Sequence, residues 1–215
     1  MSLPVALGVA AAALAVVESL TRGPLQRELG WTREQLDHAA EVVTEWMDDE
    51  EEGGTYRQLG ERVGMPYLDV GSTRIVFALG DRHVFKVEAP EDPMLARSWL
   101  GSMKANEVEA EIWQRATRAE RRNLAPVVAM GADGDWLIME RLIPVSHLPA
   151  ERAARLHMRR GWSRGILRHA TDLTDHNLGL RPGETALRAL DYVEDKVLRQ
   201  MRKRRPRGHP RAPAG

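Results

Sequence analysis

The chain has 215 residues, a formal net charge of zero and no cysteine. Its length suits one domain of two lobes or two small domains, and 43% hydrophobic with 29% charged residues are typical of a globular protein with a real core. The zero net charge excludes a global attraction to nucleic acid or membranes. The lack of cysteine excludes disulfides, thiolate metal sites and a cysteine nucleophile, and it fits a reducing, cytoplasmic setting.

The first predicted feature is a helical N-terminal extension over residues 1–54. Residues 3–17 are uncharged and rich in alanine, but a membrane-spanning helix needs about 20 apolar residues, so we expect a packed or partner-facing helix and no membrane segment. Thr32 followed by Gln35 predicts a capping box at the start of a second helix. Its apolar stripe, at helical spacing, consists of Leu36, Ala39, Ala40, Val43, Trp46 and Met47.

Residues 55–66 have the form of the first helix and turn of a helix-turn-helix. Two β-rich runs follow where a recognition helix should stand, which argues against DNA binding by this motif. The runs predict an antiparallel meander over residues 67–88. Within it, Lys86 lies between Phe85 and Val87. This lysine could bind phosphate, or it could extend its ammonium group to solvent at a sheet edge.

The next part of the chain alternates between helices and short strands. A helix is predicted over residues 106–122, and a further strand pair over residues 127–130 and 136–139. A helical stretch over residues 148–168 and a small hairpin over residues 178–190 follow.

Three polar side chains beside that hairpin form a pattern with Lys86. Asp172 and Asn177 are five positions apart, and Asp191 follows the hairpin. The order of these side chains along the sequence is the one required to bind a nucleoside triphosphate and transfer its phosphoryl group. The lysine would bind phosphate oxygens, the first carboxylate would orient a hydroxyl, and the amide and the last carboxylate would bind a divalent metal. Turn formation is the ordinary alternative for Asp172 and Asn177, and a solvated position in mid-helix is the alternative for Asp191.

The order of elements resembles a compact protein kinase-like fold. It is similar to the small kinase-like proteins common in phage and bacterial genomes, with a catalytic loop like that of aminoglycoside phosphotransferases. The resemblance covers residues 67–195 and implies an α+β fold. A small antiparallel N-lobe sheet with one large helix (55–142) would be followed by a reduced, mainly helical C-lobe (143–205) and a disordered basic tail (206–215).

The resemblance implies a role for each candidate residue. Lys86 would pair with the nucleotide phosphates and Glu109 would hold the lysine, with Glu107 and Glu111 competing for that role. Asp172 would be the catalytic carboxylate. The other candidates would bind the nucleotide (Gly71, Ser72, Met139, Glu140 and Leu142) or the metal (Asn177 and Asp191).

Two departures from the family pattern limit what the resemblance implies. The phosphate-covering loop has one glycine, Gly71, where the family commonly has three, so its backbone approaches phosphates less freely. Only 24 of the 215 residues follow Asp191, so we find no activation segment of the kind that docks a peptide substrate.

The sequence therefore predicts an ATP- and Mg²⁺-dependent phosphotransferase acting on a hydroxyl group of unknown identity. A second function stays open, a catalytically silent kinase-like module that binds a protein partner, with the N-terminal helices as a candidate surface. A third is nucleic-acid binding through residues 199–211, which carry seven Lys or Arg. The alternative for that tail is a solvated helix end, since no aromatic residues interleave the basic ones to stack on bases.

Overall fold

The computed structural model describes residues 24–49, 54–89, 103–158 and 174–192, together with Val197, Arg199 and Lys203. Over these residues the chain combines antiparallel sheets with helices, which confirms the α+β class. Among the helices in these ranges, none combines the length and the apolar character needed to cross a membrane.

The main sheet has five antiparallel strands in the spatial order β1-β2-β3-β5-β4. Its strands are β1 (Tyr67–Val70), β2 (Arg74–Leu79), β3 (His83–Glu88), β4 (Val127–Met130) and β5 (Trp136–Glu140). The first three strands are the predicted meander, and β4 and β5 are the predicted strand pair. Lys86 on β3 lies opposite Val76 of β2 on one side and Leu137 of β5 on the other, so it is in the middle of the sheet.

Helices lie before the main sheet, between its strands β3 and β4, and after it. They are α1 (Pro24–Leu29), α2 (Arg33–Asp48), α3 (Tyr56–Val63), α4 (Ala105–Arg115), α5 (Arg118–Arg121) and α6 (Ala150–Met158), with a 3₁₀ turn at Val145–His147. The predicted capping box starts α2: the Thr32 hydroxyl accepts from Gln35 N at 3.2 Å, and Gln35 Oε1 accepts from Thr32 N at 2.8 Å. Of the helix predicted over residues 148–168, residues 148–158 lie in the described part of the chain, and the helix there begins at Ala150.

The two faces of the sheet have different partners because successive strand residues point to opposite sides. One face packs against the apolar sides of α2 and α3 through Ile75, Phe77, Phe85, Val87, Trp136 and Ile138. The buried residues of α2 are four of the predicted stripe, Leu36, Ala39, Ala40 and Val43. A hydrogen bond of 2.6 Å from Trp136 Nε1 to Asp37 Oδ1 adds a polar link. The N-terminal helices therefore form one wall of the core.

The opposite face carries Val84 and Lys86, and α4 packs on it. Val108 and Ile112 of α4 share a buried cluster with Leu137 and Met139 of β5. Glu88, at the end of β3, accepts hydrogen bonds from the first backbone N–H groups of α4, at 2.9 Å from Ala105 N and 3.2 Å from Asn106 N. This contact joins the start of the helix to the sheet.

The prediction of one helix over residues 106–122 was wrong in its second half. The helix ends at Arg115, and Ala116 is extended with ψ 134°. Thr117 begins a new short helix, since its hydroxyl accepts from Glu120 N at 3.3 Å and Glu120 Oε2 accepts from Thr117 N at 2.9 Å. The Thr-x-x-Glu pattern is itself a helix start, and it interrupts the longer apolar periodicity.

A second, small antiparallel sheet contains the predicted hairpin. Its strands are β6 (Ile143–Pro144), β7 (Leu178–Leu180) and β8 (Arg188–Ala189), in that order. Asp191 follows β8 in non-helical backbone, and the next residue described as helical is Val197. The alternative that placed Asp191 in mid-helix is therefore wrong.

The packing of α2 on the sheet predicts that the N-terminal helices stabilise the whole fold. Leu36 is 3% exposed, so Leu36→Ala should lower the free energy of unfolding by about 2–5 kcal/mol. Glu41 is exposed on the same helix, and Glu41→Ala should change it by less than about 0.5 kcal/mol. Urea unfolding followed by tryptophan fluorescence measures both. Equal effects of the two substitutions would contradict the packing.

Candidate functional site

A cavity of about 640 Å³ lies between the main sheet and the β6–β8 sheet. Cavities of this size are typical of small-molecule sites, which run from about 300 to 1,000 Å³. Of the candidate residues, those that line it are Gly71, Ser72, Lys86, Met139, Glu140, Leu142, Asn177 and Asp191. Asp172 lies outside the described residues.

The cavity has an apolar part and a charged part. Val84 on β3 lies directly across from Met139 on β5, and both line the cavity. Lys86 is two residues further along β3 on the same face, about 7 Å away at the usual rise of a strand. The other apolar lining residues are Leu68, Val76, Leu142, Ile143, Pro144 and Leu190. Arg74 and Asp191 belong to the charged cluster around Lys86, and Asp69, Glu140 and Arg141 line other parts of the cavity.

Lys86 is held by a buried carboxylate. Its Nζ lies 3.0 Å from Glu109 Oε2 and donates to the Leu190 carbonyl at 2.8 Å. The side chain of Glu109 is fully buried and that of Lys86 is 7% exposed. Because two buried opposite charges are paired here, the lysine remains in the cavity wall and does not extend to solvent at a sheet edge.

Of the three acids on α4, only Glu109 contacts the lysine. Glu107 Oε2 accepts from Lys104 N at 2.9 Å at the start of the helix. Glu111 pairs with Arg115 one turn further along α4, at 2.6 Å. The helix thus points Glu109 at the sheet and uses the two neighbouring acids for its own N-terminus and surface.

Arg74 is a second buried cation at this site, and sequence reasoning assigned it no role. It is 3% exposed, its Nη1 pairs with Glu109 Oε2, and its Nη2 lies 2.6 Å from Asp191 Oδ2. The strand pattern did contain a signal that Arg74 belongs to the site. Arg74 and Val76 lie two apart on β2, so the arginine shares the face of Val76, which lies opposite Lys86.

The close packing of two cations and two carboxylates shifts the pKa values of the cations in opposite directions. Burial lowers the pKa of Lys86 below its usual value, and the neighbouring Arg74 lowers it further, against the opposing effects of Glu109 and Asp191. Burial alone would lower the pKa of Arg74 too, but Asp191 and Glu109 outweigh it and raise that pKa. The guanidinium therefore keeps its charge, and the lysine is the easier of the two to deprotonate.

The backbone on both sides of Asp191 is fixed by hydrogen bonds. Tyr192 N donates to Glu109 Oε1 at 3.2 Å, and the Tyr192 hydroxyl donates to the Ala125 carbonyl at 3.0 Å. Leu190 N donates to the Asn177 carbonyl at 2.9 Å, which joins this segment to the loop that carries the candidate amide. Sequence reasoning assigned Tyr192 no role.

At the end of β5, fewer backbone groups are left for a nucleotide than the resemblance implies. Glu140 N donates to the Pro126 carbonyl at 2.9 Å, so Glu140 can offer a ligand only its own carbonyl. The Glu140 carboxylate forms a two-pronged pair with Arg181, at 2.5 and 2.7 Å. Met139, one of the candidate nucleotide-binding residues, is fully buried.

The hairpin that would cover phosphates is short, with residues 71–73 joining β1 to β2. Gly71 N donates to the Arg74 carbonyl at 2.9 Å. Gly71 has no positive φ, and a Cβ added to it would come no closer than 3.9 Å to its nearest neighbour atom, Arg74 O. The protein backbone alone therefore does not require glycine at this position.

The two candidate metal ligands both line the cavity, and one of them is paired with a cation. An amide and a carboxylate are suitable Mg²⁺ ligands, and Asn177 and Asp191 both line the cavity. The Asp191 carboxylate, however, is paired with the Arg74 guanidinium. Over the ranges that the structure describes, no three His, Asp or Glu side chains are grouped as metal ligands.

Comparisons with known proteins leave the family open. No model of a known protein family matches the sequence, and a search of curated proteins finds no significant match.

The central position of Glu109 predicts a large effect of removing its charge. Glu109→Gln keeps the shape but leaves Lys86 and Arg74 with one carboxylate fewer, so the free energy of unfolding should fall by about 3–5 kcal/mol. The matched variant Glu111→Gln, two residues along α4 at a carboxylate that is 17% exposed and pairs with Arg115, should cost less than about 1 kcal/mol. Chemical unfolding followed by circular dichroism measures both, and near-equal losses would contradict the assignment.

Proposed function

We propose that this protein binds ATP as a compact kinase-like protein and transfers the terminal phosphoryl group to a hydroxyl acceptor. The observation that carries the proposal is the Lys86–Glu109 pair of 3.0 Å in the wall of a cavity that continues into an apolar part. A nucleotide has the same two parts, a flat apolar base and an anionic chain of phosphates. A cavity with one end of each kind fits it in a single direction.

The lining suggests how the nucleotide is held. The base fits beside Val84 and Met139, which lie opposite each other on β3 and β5, with the Glu140 carbonyl as a hydrogen-bond acceptor. The phosphates then reach the charged part, where Lys86 supplies a cation and the hairpin at Gly71 supplies backbone close by. The order of hairpin, strand lysine, helix glutamate and strand–hinge segment agrees with the kinase-like resemblance.

Phosphoryl transfer needs little covalent chemistry from the protein. It depends on placing the acceptor in line with the phosphate and on neutralising the charge of the transferred group. In this proposal Lys86 neutralises phosphate charge, and Asp172 accepts or orients the proton of the acceptor hydroxyl. The acceptor is a protein side chain, a small molecule or the protein itself.

A catalytically silent module that binds a protein partner is the second candidate. The observation that favours it is the pairing of Asp191 with Arg74, which engages the carboxylate that the resemblance assigns to the metal. Such a module would use the fold to present a surface to a partner, with nucleotide as a stabilising ligand or with none. Nucleic-acid binding through residues 199–211 stays a prediction, because most of that segment lies outside the described residues.

ATP binding is tested most directly by substituting the cavity lysine. Lys86→Met removes one charge-assisted phosphate contact, so the affinity for ATP should fall by about 10- to 100-fold. Lys104→Met is the matched control, because Lys104 pairs with Asp135 and does not line the cavity. Isothermal titration calorimetry on both variants measures the difference. Equal affinities would remove Lys86 from the binding site.

Turnover separates the enzyme from the silent module. Asp172→Ala should abolish transfer of labelled phosphate from ATP to an acceptor or to the protein while leaving the affinity for ATP within about threefold of the wild-type value. Asp175→Ala, three positions along, serves as the control. Nucleotide binding without any turnover in the wild-type protein, over a panel of protein and small-molecule acceptors, would favour the silent module.

A further inference from the structure

Arg74 lies where the charge of bound phosphates has to be balanced. It is the first residue of β2, directly after the hairpin at residues 71–73, and it lines the same cavity as Lys86. Its Nη1 pairs with Glu109 and its Nη2 lies 2.6 Å from Asp191 Oδ2. It therefore stands between the buried carboxylate of α4 and the half-exposed carboxylate after β8.

The position of Arg74 conflicts with a divalent cation at Asp191. Mg²⁺ needs near-octahedral oxygen ligands at about 2.0–2.1 Å, and whichever Asp191 oxygen it took would lie close to the guanidinium that pairs with Oδ2. The two cations would then lie within a few ångströms of each other and repel. A bound metal would neutralise the carboxylate and hold phosphate oxygens. A guanidinium can do both by itself, because it pairs with a carboxylate and its planar fork matches phosphate oxygens.

The guanidinium also has donor capacity to spare. Nη2 is buried and lies 2.6 Å from Asp191 Oδ2, and because it carries two N–H groups, this single contact leaves one of them for another acceptor. An unused buried donor is costly, and a ligand oxygen reaching it would remove that cost. Phosphate oxygens are the acceptors that the proposed function brings to this end of the cavity.

We propose that the Arg74 guanidinium takes the place of the divalent cation, so that this protein binds a nucleoside triphosphate without metal. Arg74 balances Asp191, which would otherwise repel the phosphates, and donates a hydrogen bond from Nη2 to a phosphate oxygen. The proposal rests on the proposed nucleotide site, and it adds the identity of the second cation there.

The test is calorimetric titration of the full chain with ATP, once in EDTA and once in Mg²⁺ at equal ionic strength. The wild-type affinity in EDTA should lie within about threefold of that in Mg²⁺. Arg74→Met should lose about tenfold or more in EDTA and recover in Mg²⁺, because Asp191 no longer pairs with the guanidinium and can then accept the metal. Arg82→Met, a substitution of an exposed arginine outside the cavity, should bind as the wild type does in both buffers.

Folding of the variant is checked by circular dichroism before titration. Arg74→Met leaves Glu109 paired with Lys86 and leaves Asp191 with 41% of its side chain exposed, so neither carboxylate is stranded in the interior. The wild-type comparison needs no variant and decides the question even if Arg74→Met does not fold.

The outcomes separate this inference from the proposed function. Wild-type binding that needs Mg²⁺, or an Arg74→Met variant that binds as tightly as the wild type in EDTA, would overturn the role of Arg74 and leave the nucleotide site standing. No ATP binding to the wild-type protein in either buffer would overturn both. Asp191→Asn gives an independent check: affinity in EDTA should be kept or improved, since an anion has been removed, and a loss there would contradict the proposal.

Discussion

The structure depends on one buried carboxylate, that of Glu109. Its Oε2 meets both Lys86 of β3 and Arg74 of β2, and its Oε1 accepts from Tyr192 N after β8. A fully buried carboxylate is tolerated only where cations and donors surround it. Because those partners come from separate elements, meeting the needs of Glu109 fixes α4 against the main sheet and fixes the sheet against the Asp191 segment.

The alternation of β3 explains how a polar site exists inside a small sheet. Phe85 and Val87 point to one face, where α2 and α3 complete an apolar core. Val84 and Lys86 point to the other face, which is left to the cavity and α4. The N-terminal helices thus have an indirect role in the site. By burying one side of the sheet they supply the apolar burial that balances the cost of charged residues on the other side.

Local sequence patterns predicted most of the fold, whereas contacts between residues far apart in the sequence could not be predicted from them. The capping box at Thr32, the meander and the strand pair are encoded within short stretches, so periodicity and turn chemistry were sufficient. The choice of Glu109 over its neighbours came from resemblance to a known pattern. Arg74 and Tyr192 were missed because their partner Glu109 is 35 and 83 positions away, and only the docking of α4 brings them together. The end of α4 at Arg115 was missed because a second helix start competed with apolar periodicity.

The charge balance of the site determines which group can respond to a ligand. The formal charges of Arg74, Lys86, Glu109 and Asp191 sum to zero, so this cluster is electrically balanced before anything binds. An anionic ligand upsets that balance, and one of the two carboxylates must then give up a cation. Glu109 is fully buried and would pay the full desolvation cost, whereas Asp191 has 41% of its side chain in contact with solvent. Water can replace the arginine at Asp191, and the Arg74 guanidinium is therefore the cation most easily redirected toward a ligand.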